Sequence, residues 1–154
     1  ANAQLAGADP VGAIQTLVPE VATAGSACVD LVATEVEYIA GGREAIVYLG
    51  FATQIPEGYK ACIAPRSSFT KFNWVMQNSP AQIDSDYRGE WMAIFTQIPV
   101  PLGSHDGKTA FPYNVGDRVG QIFFEPVIPI SFEVVPELEQ SDRGEGGFGS
   151  TGLK

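Results

Sequence analysis

The sequence predicts an all-β protein, a small barrel or jelly-roll, and three observations carry that expectation. Seventeen glycines and eleven prolines are spread along 154 residues and interrupt every stretch that would otherwise run as a long helix. Between them lie short runs rich in Val, Ile, Tyr and Phe, residues that fit a pleated, half-buried surface. Hydrophobic residues make up 45% and charged residues 18%, so a core can form, and the length suits one domain rather than two.

Taken in order, residues 1–27 mix Ala, Gly, Pro and Thr without a sustained period and read as an extended entry with at most one short strand. Strands are expected over 28–39 (CVDLVATEVEYI), 44–55 (EAIVYLGFATQI), 59–64 (YKACIA), 90–98, 117–126 and 130–135, each bounded by Gly or Pro signals. In EWMAIFTQI one face carries Trp91, Ala93 and Phe95 and the other Met92, Ile94 and Ile98. Neither is polar, which describes a strand covered on both sides, and in so small a domain that suggests a second subunit supplying part of the cover. The one helical candidate is RSSFTKF after Pro65, with Ser67 or Ser68 as cap and Asn73 in the left-handed conformation that ends it. No solenoid-length repeat and no linker between composition regimes interrupts the chain.

The formal charge of -9 argues against a sequence-independent grip on nucleic acid, which rests on Lys and Arg neutralising phosphates. An anionic ligand therefore needs a local site. Cys28 and Cys62 lie in apolar surroundings without C-x-x-C spacing, so buried free thiols in a reducing compartment are expected. No run has the length of a membrane span, and ANAQLAGADP lacks the basic start of a secretion signal, so the chain reads as soluble and cytoplasmic.

Four clusters carry chemistry. In RGEGGFGSTGLK, Gly144, Gly146 and Gly149 fit G-x-G-x-x-G, but a dinucleotide turn needs a strand before it and a helix after it, and only five residues follow. Glycine-rich ends are usually plain flexible tails. Here Arg143 offers a planar anion fork, Ser150 and Thr151 offer hydroxyls, and Phe148 is an aromatic such a tail does not need. An arm closing on a nucleotide would use all of them, with glycine allowing close main-chain approach.

PRSS at 65–68 places Arg66, Ser67 and Ser68 at the expected helix start, where backbone N–H groups add anion donors; a mere cap is the blander reading. NSPAQIDSDYRGEW at 78–91 reads as a hairpin around Asn78, Pro80, Asp84, Ser85, Asp86 and Gly89. A solvated acidic turn would look similar. Asp84, however, follows apolar Ile83 and precedes the flat ring of Tyr87, a setting for a general base on water. In GDRVGQIFF, Arg118 and Gln121 interrupt an apolar strand and are read as structural hydrogen-bonding residues. His105, in the loop LGSHDGKTAF, has no nucleophile in pattern and is assigned no catalytic role.

In order, AGSACVDL, PRSS, NSPAQIDSDYRGE, GDRVGQ and RGEGGFGSTG resemble the five motifs of the trimeric dUTPases, spanning residues 24–152. Single motifs are weak, whereas the ordered set is specific. The resemblance implies a distorted jelly-roll of the β-clip kind over residues 1–140, with 141–154 as a glycine-rich lid arm swapped between the subunits of a homotrimer. It implies hydrolysis of dUTP to dUMP and pyrophosphate with Mg2+. Asp84 then looks like the base and Gln121 a holder of water or phosphate; Asn78 and the main chain from Gln82 through Ile83 to Asp84 would read uracil. Tyr87 would pack beneath deoxyribose, and Met92 would line the site. Arg66, Ser67, Ser68, Arg143, Ser150 and Thr151 would hold phosphates, Phe148 with Gly149 would close on the base, and Asp30 would reach the metal through water.

Cys28 and Ala81 stand where that family usually has glycine, the link from PRSS to Asn78 is shorter, and 99–115 is longer. A dCTP deaminase shares the fold but places a catalytic Glu on the strand after the hairpin, and WMAIF has none. A nucleotide-gated binding protein, with 99–115 as its contact surface, would use the same pocket as the hydrolase.

Overall fold

The structure, a computed structural model, describes residues 19–99 and 110–146. Among these described residues eight strands form two four-stranded sheets, every pairing antiparallel. They are β1 (Val29–Val32), β2 (Glu35–Ile39), β3 (Glu44–Tyr48), β4 (Tyr59–Ala64), β5 (Trp74–Met76), β6 (Ala81–Ile83), β7 (Met92–Gln97) and β8 (Arg118–Pro126). The first sheet runs β1-β8-β4-β6 and the second β2-β3-β7-β5. Among the described residues helix is limited to two short 3-10 turns, Ala40–Gly42 and Ser67–Lys71.

The core lies between the sheets, because side chains alternate across a strand. Leu31, Ile63, Val119 and Ile122 of the first sheet meet Val47, Trp74, Ala93 and Phe95 of the second. Phe69 stacks on Tyr113 at 5.5 Å and lies 5.0 Å from Phe95, so aromatic packing anchors the 3-10 turn that carries the PRSS segment.

Several boundaries differ from expectation for physical reasons. The stretch 28–39 is two strands in different sheets: the Ala33 N–H donates to Asp117 and the next, Thr34, to Tyr48. The strand expected over 44–55 ends at Tyr48, and Gly50 follows at φ 74° with its N–H donating to the Glu90 carboxylate. The 59–64 strand stands as expected. Residues 130–135 form no strand, since no edge within the described residues pairs with them.

The helix after Pro65 is a tight 3-10 turn that neither serine caps; the Arg66 carbonyl accepts the Phe69 N–H and Ser67 gives its carbonyl to the Thr70 hydroxyl. Asn73 is not left-handed, because the chain leaves the turn extended at Phe72 and runs directly into β5. The expected hairpin at 78–91 is a crossing, since β6 pairs only in the first sheet and β7 only in the second. Neither Cys28 nor Ala81 has positive φ, and Ala81 tucks its methyl into the core, so the missing glycines leave the backbone regular.

Candidate active site

The segment between β6 and β7 shapes a small cavity of about 190 Å³, lined by Gln82, Ile83, Asp84, Tyr87, Glu90, Trp91 and Met92. Five of these were expected from sequence; Glu90, whose carboxylate accepts the Gly50 N–H, and Trp91, buried in the wall with its indole N–H unpaired, were not. The turn is held by main-chain donors and one cation. The Tyr87 N–H donates to the Asp84 carbonyl, and Arg88 donates to the carbonyls of Ser85 and Tyr87 at 2.7 and 2.9 Å.

Tyr87 donates its hydroxyl to the Glu90 carbonyl and lies across Gly89. A Cβ built at Gly89 would be 2.3 Å from the Tyr87 oxygen, so glycine is required for the ring to occupy this position. The Asp84 carboxylate is exposed and has no hydrogen-bond or ion-pair partner among the described residues. It can accept a proton from water without first breaking a contact. Asp84 also borders a wider cleft of about 970 Å³, where it faces the 54–60 segment.

A second group assembles on the outer face of the first sheet. Asp30 on β1 is opposite Gln121 on β8, which is opposite Ala64 on β4, so the three form one row across the sheet. Arg66 follows at once on the 65–68 link, and its Nε lies 2.9 Å from Asp30 Oδ1. Arg118 Nη1 lies 2.9 Å from Asp30 Oδ2. Gln121 donates its amide to the Pro65 carbonyl at 3.2 Å, which answers the demand of an amide in an apolar strand.

These two groups are not brought together by one chain. Asp30 is on one edge strand of the first sheet and Gln82 on the other, three strand intervals apart, roughly 14 Å at the usual spacing. Asn78 sits at φ 48° before the 79–80 peptide and does not line the small cavity. Arg143 donates to the Gly146 carbonyl within a local turn, in contact with neither group. Phe148, Gly149, Ser150, Thr151 and His105 lie outside the described residues.

Cys28 and Cys62 are free thiols, as expected, but only Cys62 is buried; Cys28, one residue before β1, is half-buried. Cys62 is buried on the same outer face as Gln121, and that burial pushes its thiol above the ordinary value, which keeps it protonated and unreactive.

The dUTPase family model matches residues 15–152. The chain belongs to the dUTPase family. It is 37% identical over 139 residues to the deoxyuridine 5'-triphosphate nucleotidohydrolase of Clostridium acetobutylicum, covering 90% of each chain. It is 40% identical over 136 residues to the enzyme of that name from Thermobifida fusca, covering 88% of this chain and 72% of that one. Its fold matches a mutant dUTPase of Staphylococcus bacteriophage 80alpha solved with dUpNHpp, at a TM-score of 0.71 and 23% identity over 88% of this chain and 92% of that one. These relatives lend no support to the deaminase or gated-binding readings. No helix among the described residues is long and apolar enough to cross a membrane.

Proposed function

We propose that this dUTPase hydrolyses dUTP to dUMP and pyrophosphate, with Asp84 as the base. The observation that carries the reading is an exposed, unpartnered carboxylate at the mouth of a cavity walled by Tyr87 and Met92. Asp84 takes a proton from water, the water oxygen bonds to the α-phosphorus, and the bond to the bridging oxygen breaks as pyrophosphate leaves. Tyr87, held over Gly89, packs beneath the deoxyribose and leaves no room for a 2′-hydroxyl. The main chain from Gln82 through Ile83 to Asp84, with Asn78, reads the uracil edge. Arg66, Ser67 and Ser68 hold the phosphate chain, and Gln121 orients water or phosphate.

The residues fit a magnesium ion that arrives with the nucleotide. No three His, Cys, Asp or Glu side chains cluster into a metal cage among the described residues. Both Asp30 oxygens are already paired with guanidinium groups, so Asp30 would act on the ion through its waters, in keeping with magnesium's habit of retaining them. When bound, the ion offsets charge on the triphosphate and on the leaving pyrophosphate.

The site is completed by assembly as a homotrimer, which brings the Asp84 cavity of one subunit to the Asp30 row of another. In support, Ile128, Ile130, Phe132 and Val134 are 76–99% exposed at every second position, an apolar face of an extended segment that water alone covers in one chain. The segment from 141 onward is the lid arm: Arg143, Ser150 and Thr151 clamp phosphates while Phe148 and Gly149 close over the base. The enzyme works in the cytoplasm, where its free thiols stay reduced.

A nucleotide panel tests the reading. Pyrophosphate release is expected from dUTP and to be far slower from dTTP and UTP; equal rates on all three contradict the pocket assigned to Tyr87.

A further inference from the structure

The turn and strand that open GDRVGQ place a side chain in a way regular pairing would not. Gly116 at φ 91° and the Asp117 carboxylate, which accepts the Asn114 N–H at 2.7 Å, close a tight turn before β8. Asp30 is then opposite Gln121 and Leu31 opposite Gly120, but Val32 is opposite Arg118 rather than Val119. The extra residue is a β-bulge. It turns Val119 into the core, where it is wholly buried, and returns Arg118 to the solvent face that Asp30 occupies.

In an unbulged strand Arg118, three residues from Gln121, would point at the core. Gly120 allows the close packing that accompanies this, since a Cβ there would stand 3.3 Å from the Ala64 carbonyl. The outcome is one carboxylate shared by two guanidiniums, with Arg66 also directing Nη1 at the Arg118 carbonyl at 3.4 Å. The trio has one surplus positive charge. Were Asp30 paired with Arg66 alone, the two charges would cancel and Arg66 would be held by its partner rather than free for phosphate.

We propose that Arg118 is a positioning residue for triphosphate binding: it shares Asp30, and by doing so leaves Arg66 with charge and donors to spend on the phosphate chain. The proposal rests on the reading of this site as one for dUTP. It assigns Arg118 no contact with substrate. Most of its guanidinium faces solvent, with 58% of the side chain exposed, and its work is done through Asp30 and Arg66.

The test is calorimetric binding of two ligands, dUMP and a non-hydrolysable α,β-imido dUTP with magnesium, to the parent and to Arg118→Gln. The variant is expected to bind the triphosphate analogue at least about tenfold more weakly, equivalent to ~1.4 kcal/mol, and dUMP within about twofold of the parent. Arg118→Lys, which keeps the charge on Asp30, is expected to restore most of the affinity lost in Arg118→Gln, and Arg118→Met, which keeps the stem without the charge, takes the place of the Gln variant if that does not fold. Equal loss for both ligands, no loss for either, or a Lys variant as weak as a charge-free one would overturn the proposal. A parent that binds neither nucleotide would instead overturn the reading of the site.

Discussion

Asp30 and Asp84 are both acidic residues of one small fold, at opposite edges of the same sheet, and their surroundings are opposite. Asp30 is on a ladder strand, partly shielded, with each oxygen 2.9 Å from a guanidinium. Asp84 is on a turn, exposed, with its carboxylate unpaired among the described residues. A carboxylate bound on both sides by guanidiniums has neither oxygen free to meet a water and its proton. One left unpaired on a turn held by its own main chain is available to accept that proton. Under the proposed reading, charge-holding and proton transfer are thereby separated, one on a strand and the other on a crossing between sheets.

The comparison breaks most sharply at Asp84. Asp84→Asn is expected to lower turnover of dUTP by about 10²–10⁴-fold while the triphosphate analogue still binds, checked by steady-state rates beside calorimetry. Turnover at the parental rate would remove Asp84 from the chemistry. Next comes the turn that holds it: Gly89→Ala sets a methyl against the Tyr87 ring, so the ring must move from its place, and nucleotide binding is expected to weaken by about tenfold. A KM unchanged by that methyl would mean the ring has no part in holding the sugar.

Asp30→Asn is the milder counterpart. It should raise the magnesium concentration needed for half-maximal triphosphate binding by about tenfold, the usual cost of losing a group that acts through a metal's waters, and leave dUMP binding alone. An unaltered magnesium dependence would confine Asp30 to structure. The smallest effect is expected at Lys60, whose 3.2 Å pair with Glu125 shares the outer face of the same sheet without any third charge. Lys60→Gln should shift stability by less than about 1 kcal/mol in denaturant unfolding. A larger loss would show that a lone surface pair is worth as much as the Asp30 trio.

Much of this arrangement was legible in the residues. The expected strand over 59–64 matches β4 to the residue, and 90–98 and 117–126 each contain one strand, because a local run of β-branched and aromatic side chains decides such elements. The split of 28–39 was not legible, since whether residue 33 or 34 donates to Asp117 or Tyr48 depends on partners 14 and 84 residues away. The supposed hairpin failed for the same reason: turn chemistry shows where the chain reverses, not which sheet receives the next strand. Short β5, only three residues long, left too little pattern to find.

At the site, Gln82, Ile83, Asp84, Tyr87 and Met92 were identified through the ordered motifs and are gathered into one cavity. Arg118 was read as structural because it interrupts an apolar strand; the bulge that turns it to the face of Asp30 is a property of pairing with β1. Its one sequence signal is the pair of glycines, 116 and 120, that bracket it. Trp91 reads as core in the sequence and is core in the fold, and only the cavity beside it shows that it also forms part of the site's wall.

Hydrolysis of dUTP in heavy-oxygen water addresses the central claim most directly. If water poised beside Asp84 attacks the α-phosphorus, the label appears in the phosphoryl group of dUMP and the released pyrophosphate is unlabelled. Label in the pyrophosphate, or release of orthophosphate, would place the attack elsewhere along the chain and contradict the account.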